Sequence, residues 1–279
     1  MNEEQFNLLD NHIGYGSSKP KFIIMGLEEG VAGIVSDKKG DSHDQKQSNR
    51  IQNESTILAN YNQRTDILTK SPSNLLDLRE YHVNHPSHEE RSWFQGDGKP
   101  QKTWQWYCKL LVGLNNNGVW ENENLLKYQV EKLGRRSSDH SLLEFFPLPR
   151  PKNGDWYDCM RIQSMGITDK KAYLKSMVTD KRSSLLNNII KKGQVKIMVI
   201  HGSLSKNHLK TSHNKIAVHL KLEKLEEHLL GKKSNGNIYA LEYGFKDNNK
   251  KIKIFFIPFL GNGAITNESL KELIGIMNL

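Results

Sequence analysis

The sequence predicts an α/β fold, a three-layer α/β/α sandwich with a mostly parallel central sheet. Three observations predict it. Short apolar runs each end in Gly or Pro; amphipathic stretches of helical period lie between them; and 279 residues with 36% hydrophobic content are enough for one sizeable core.

The first apolar run, Lys21-Phe-Ile-Ile-Met-Gly26, predicts a buried strand over Phe22 to Met25 that breaks into the turn Leu27-Glu28-Glu29-Gly30. Ser36 to Arg64 is dense in Asn, Gln, Ser, Asp and Lys with little apolar periodicity, so a long polar loop or insertion is expected over about 36–66 of a single domain spanning 1–279. Thr103 to Leu114 brings Trp104, Cys108, Leu111 and Val112 near one helical face. Leu142 to Phe146 is the next strand and runs into prolines. Lys170 to Lys192 and His213 to Leu230 read as longer amphipathic helices on either side of a third strand, Val195 to Ile200. Asn237 to Ile257 alternates apolar and polar residues around Asp247-Asn-Asn249, which predicts that the last strand, Ile252 to Ile257, has an antiparallel neighbour at the sheet edge. Thr266 or Asn267 caps a final helix with an apolar stripe of Leu270, Leu273, Ile274 and Met277.

Composition narrows the function classes. No apolar run reaches membrane-spanning length, and the opening Met1-Asn-Glu-Glu-Gln lacks a signal-peptide pattern, so a cytoplasmic protein is expected. Cys108 and Cys159 form no Cys-x-x-Cys pair, which argues against an iron–sulfur cluster or a cysteine-based zinc site. Forty Lys and Arg against 31 Asp and Glu leave a net charge of +9, which favours a polyanionic partner, DNA by default. No cofactor and no membrane partner are expected, and the chain is expected to be a monomer.

Carboxylates at a strand end lie where α/β proteins bind ligands, which makes Glu28 and Glu29 candidate catalytic groups. At the third strand's end, His201-Gly-Ser203-Leu-Ser205-Lys206 combines small, polar and basic groups suited to a base or a phosphate. Trp104, Phe145 and Phe146 are candidates to stack on a base, the alternative being that they are core. His82-Val-Asn-His85-Pro-Ser-His88, followed by Glu89 and Glu90, has the residue types of a metal site, but Pro86 breaks the helix that would align them. A DNA-facing or structural loop is the preferred reading there, with no metal.

A strand ending in a Gly-x-x-x-Gly turn, a middle strand running into prolines, a third ending in Gly and a last ending in Pro plus a glycine-rich loop resembles the uracil-DNA glycosylase superfamily, from Lys21 onward apart from the polar insertion. In that family the first turn reads Gly-x-Asp-Pro or Gly-x-Asn-Pro and its third residue activates the attacking water. Here Gly26 and Glu28 match those places, and Glu29 stands where the proline usually is. The family's base-reading Asn corresponds to the stretch Leu142-Leu-Glu144-Phe-Phe-Pro, and its His-Pro-Ser motif is replaced by Ile257-Pro-Phe259-Leu260-Gly261-Asn262-Gly263. The resemblance implies a monofunctional, metal-independent DNA glycosylase. Glu28 or Glu29 would handle the water, and Asn262 with backbone donors would take part of the missing histidine's role. Gly26, Gly30, Glu144, Phe145, Phe146, Trp104, His201 and Ser203 would bind the substrate, while Phe259, Leu260, Gly261, Gly263, Ser205 and Lys206 would face DNA. An ionised Glu144 accepts from an exocyclic amine and repels a carbonyl, which indicates a cytosine-type base. With the altered pocket, the chain is similar to a bacterial anti-phage glycosylase that releases a modified cytosine, such as a glucosylated hydroxymethylcytosine. The rival readings are a metal-dependent nuclease and a non-catalytic α/β module that binds nucleotides or nucleic acid.

Overall fold

The computed structural model describes residues 1–27, 34–85, 87–149, 156–176, 180–202, 214–233, 236–245, 252–261 and 263–278. Eight strands form one mixed, mostly parallel sheet: β1 (Gly14–Gly16), β2 (Phe22–Gly26), β3 (Leu75–Leu76), β4 (His140–Glu144), β5 (Ile197–Gly202), β6 (Leu222–Lys233), β7 (Gly236–Phe245) and β8 (Lys253–Pro258), in the spatial order β3-β1-β4-β2-β5-β8-β7-β6. The central run β4-β2-β5-β8 is parallel throughout. Its strands are apolar on both faces, as strands covered on both sides must be. Ile23, Met25, Met198, Ile200, Ile254 and Phe256 point into one core. Phe22, Ile24, Ile197, Val199, Phe255 and Ile257 point into the other.

Helices cover both faces. The first core is closed by α1 (Glu3–Asn11), α2 (His43–Lys70), α8 (Asp180–Lys192) and α9 (Asn214–His219), through Phe6, Leu9, Ile57, Tyr61, Leu186, Ile190 and Ile216. The second is closed by α3 (Leu78–Val83), α5 (Lys102–Asn115) and α10 (Asn267–Asn278), through Tyr81, Leu110, Leu111, Leu270, Leu273 and Ile274. Shorter helices α4 (His88–Ser92), α6 (Leu125–Glu131) and α7 (Lys170–Ser176) complete the described set. No described helix is long and apolar enough to cross a membrane.

The four core strands, the α5 helix and the antiparallel β7–β8 pairing agree with the sequence reading, and α10 buries the stripe expected of it, with Thr266 Oγ1 accepting from Ser269 N. Two elements differ. The polar stretch expected as a loop is the 28-residue helix α2, capped by Ser42, whose hydroxyl accepts from Gln45 N. Its buried face carries Asn49, Asn53, Ile57, Asn60, Tyr61, Arg64, Thr65 and Leu68, so the stripe has helical spacing but is half polar, and hydrophobicity does not reveal it. Asn53 pins the entry by bonding both the amide and the carbonyl of Val35.

The helix expected over His213 to Leu230 is the short α9 followed by strand β6. Lys221, at φ 56°, turns the chain between them. Leu222, Leu225 and Leu229 imitate a helical stripe. Pairing with β7 from Leu222↔Phe245 to Lys233↔Gly236 satisfies the backbone as a strand instead, with irregularities at Lys224/Glu226 and Leu229/Gly231. Lys170 to Lys192 contains two helices, α7 and α8, with residues 177–179 outside the described set. The Asp247-Asn-Asn249 turn also lies outside it.

Candidate functional site

The four core strands all end at one edge of the sheet, at Gly26, Glu144, Gly202 and Pro258. Strand order turns about β2, the next two core strands β4 and β5 lying on opposite sides of it, and such an edge is where open α/β sheets hold ligands. Gly26 pairs with Glu144 on one side, and the adjacent pair Met25↔Ile200 makes His201 its next neighbour on the other. By the alternation of each strand, Gly26, Glu144 and His201 all face the layer of α5. A carboxylate and an imidazole therefore flank a position with no side chain, on backbones two strand spacings or about 10 Å apart.

Gly26 is required by that arrangement. An ideal Cβ on it would stand 2.7 Å from Glu144 Oε2, so the carboxylate leans into the space the glycine leaves. Beyond β4 the backbone keeps pairing, with Phe145 N donating to Gly26 O at 3.0 Å and Phe146 N to Leu27 O at 2.7 Å. This fixes the chain up to the residue before Glu28.

Arg182, fully buried on α8, locks the same edge from below. Its Nε donates to Phe145 O at 2.7 Å, its Nη1 to Asp10 O and His12 O at 2.9 Å each, and its Nη2 to Glu144 O. Buried carbonyls at a strand end need donors, and one guanidinium supplies four of them.

On the other flank, His201 is buried and its Nε2 lies 2.7 Å from the hydroxyl of Tyr107 on α5. Burial pushes its pKa down to about 3, so the ring is neutral at pH 7. Its Nδ1 is buried without a hydrogen-bond partner among the described residues. The Phe259 ring packs 5.4 Å from the imidazole, on a turn where Gly261 adopts φ 138° and Gly263 φ 68°.

A dense polar cluster lies between α2, α3 and α4. Glu90 Oε2 lies 3.0 Å from His82 Nδ1 and 3.1 Å from His85 Nε2, all three side chains being buried. Asn60 Nδ2 donates to Tyr81 Oη at 3.2 Å and meets His85 Nε2 at 3.3 Å, while its Oδ1 accepts from Arg64 Nε at 3.2 Å. The Arg64 guanidinium sits 4.9 Å over the Tyr81 ring. Burial, followed by the charges of Arg64 and Arg182, drives the pKa of His12 well below its ordinary value. Burial pushes that of His85 down to about 4, against an opposing pull from Glu90. Trp104 contacts this cluster, its ring 5.0 Å from His82 and from Trp93.

Of the residues expected at the site, Gly26, Glu144 and His201 come together at the notch, with Phe259 beside His201. Trp104 belongs to the aromatic wall around His82. Phe145 and Phe146 are both buried in the opposite layer, Phe145 because alternation turns it away from Glu144. Leu260 is likewise core, with no exposed surface, so among the described residues only Phe259 of that turn remains a wedge candidate. Glu28, Glu29, Gly30, Ser203, Ser205, Lys206 and Asn262 lie outside the described residues.

In the histidine cluster, His82 and His85 converge while His88 is exposed on α4. Both imidazoles address one carboxylate oxygen at ion-pair distance, a bridge rather than a ligand shell around an ion. One group of the described residues has metal-ligand spacing, Glu226, His228 and Glu242 on β6 and β7, with ligand atoms within 4.8 Å of one another. His228 Nε2 and Glu242 Oε2 already satisfy each other at 2.9 Å.

Sequence reasoning missed Asn60, Arg64 and Arg182, and it did not foresee that Tyr107 pairs with His201 or Glu90 with His82 and His85. For the first two, the available signal was the four-and-three spacing of Asn49, Asn53, Ile57, Asn60 and Arg64. No protein-family model, curated protein or solved structure matches this chain.

Proposed function

We propose that the protein is a metal-independent, monofunctional DNA glycosylase of the uracil-DNA glycosylase type, acting on a modified cytosine such as the glucosylated hydroxymethylcytosine of phage DNA. The observation that carries this reading is the alignment at one sheet edge of Glu144, Gly26 and His201, each on a different strand of the resemblance, with Glu28 two residues beyond Gly26. A net charge of +9 supports DNA as the partner.

In the proposed reaction the target nucleotide leaves the stack at a cost of a few kcal/mol, offset by pocket contacts and by Phe259 filling the gap. Glu144 accepts a hydrogen bond from the exocyclic amine of the base. The bond between the sugar's anomeric carbon and the base nitrogen breaks, and its electron pair leaves with the base. Glu28, or Glu29 beside it, faces the positive charge growing on the sugar and takes a proton from the water whose oxygen bonds to that carbon. The departing base takes up a proton, giving a free base and an abasic site.

The deciding experiment incubates the protein, with EDTA present, with DNAs carrying uracil, cytosine, hydroxymethylcytosine or glucosylated hydroxymethylcytosine. Released base is read by mass spectrometry and abasic sites by alkali cleavage. Release of a cytosine-type base is the expected result. DNA binding without release supports a binding module, and cutting only after a divalent metal replaces the EDTA supports a nuclease.

A further inference from the structure

We infer that His201 is a specificity-determining residue that offers Nδ1–H to a ring acceptor of the bound base, and that Tyr107 is the positioning residue that fixes this tautomer. The inference rests on the proposed function for the class of ligand and on the following geometry for the residue. The 2.7 Å separation between Tyr107 Oη and His201 Nε2 matches the usual length of a bond donated by a hydroxyl and is shorter than most donated by N–H. A phenol is also a better donor than acceptor, and a neutral imidazole nitrogen a good acceptor. Tyr107 therefore donates to Nε2, and the remaining ring proton resides on Nδ1.

That Nδ1–H is buried and has no hydrogen-bond partner among the described residues, an arrangement that costs stability unless something uses it. On the strand at the other side of β2, the Glu144 carboxylate leans over Gly26, and it only accepts when ionised. A donor on His201 and an acceptor on Glu144, carried by the strands on either side of β2, complement a ring that presents an amine at one place and a carbonyl or ring nitrogen at another, as a 4-amino-2-oxopyrimidine does. A uracil ring would set its O4 against Glu144 and lose that side of the recognition. The Phe259 ring covers His201 in this state, so a wedge movement of Phe259 into DNA would uncover the donor.

Two substitutions separate this role from a structural one. His201→Asn places an amide N–H near the position of Nδ1 and loses the link to Tyr107, whereas His201→Gln places its amide near Nε2, keeps that link and loses the Nδ1 donor. Binding of free cytosine, 5-hydroxymethylcytosine and uracil to the full chain would be measured by calorimetry, with thermal unfolding as a folding check. Expected are a preference of the parent protein for the amino pyrimidines, a loss of roughly ten-fold in His201→Gln, and retention within about three-fold in His201→Asn. Tyr107→Phe should fall between them. Equal losses in the Asn and Gln variants, an unchanged Gln variant, or no binding of any base by the parent protein would overturn the inference. Base release from DNA is scored separately. Release without the Asn-over-Gln order sinks only the role of His201, and the order without release sinks only the glycosylase chemistry.

Discussion

The Glu144 carboxylate occupies the space that a side chain on Gly26 would need, the two residues being direct partners across β4 and β2. The glycine at the end of the first core strand is therefore a requirement of the site.

Gly26→Ala is expected to move the carboxylate by a few tenths of an ångström or more while leaving the fold intact. Because the contact is with the end of a side chain, the stability cost should be about 1 kcal/mol, within the overpacking range, whereas release of a cytosine-type base should fall at least ten-fold. Urea denaturation and base-release rates on the same samples check this.

Arg182→Met should be among the most damaging single changes. It leaves the carbonyls of Asp10, His12, Glu144 and Phe145 without the donor they share, and losses of about 3 kcal/mol or more are expected. Arg182→Lys should recover little, because a single ammonium cannot span four acceptors as a planar guanidinium does. Chemical denaturation midpoints would show it.

Stability should fall on acidification between about pH 6.5 and pH 4. Burial holds the folded-state pKa of His85 at about 4 and of His201 at about 3, with His12 also lowered, while unfolded histidines titrate near 6.5. Across that window the unfolded chain binds protons that the folded chain does not, so stability is complete above pH 6.5 and is lost progressively below it. Denaturation midpoints recorded from pH 8 to pH 4 test the sign, and midpoints that rise toward pH 4 would refute it.

Asn60→Ala should destabilise the protein by about 1–3 kcal/mol. It removes in one step the donor to Tyr81 Oη, the partner of His85 and the acceptor of Arg64 Nε, all in a buried cluster. Asn62→Ala, two residues along on the same helix and outside the buried set, serves as the control for helix propensity.

The four central strands, the glycine or proline that ends β2, β5 and β8, α5, α10 and the antiparallel edge were legible in the sequence. Parallel strands covered on both faces must be apolar at every position, and that demand is written locally in runs such as Phe22-Ile-Ile-Met and Ile254-Phe-Phe-Ile. Only the tertiary structure decided the rest. Helix α2 was hidden because its buried face carries Asn49, Asn53, Asn60 and Arg64, each with a partner on another element or in the segment leading into α2, so no local apolar stripe announces it. Strand β6 was hidden because Leu222, Leu225 and Leu229 carry a helical spacing, and the presence of β7 beside it settled the matter. The pairings of Tyr107 with His201, Glu90 with two histidines and Arg182 with four carbonyls join residues far apart along the chain. A buried polar group is chosen by the partner that meets it across space, and periodicity carries no record of that partner.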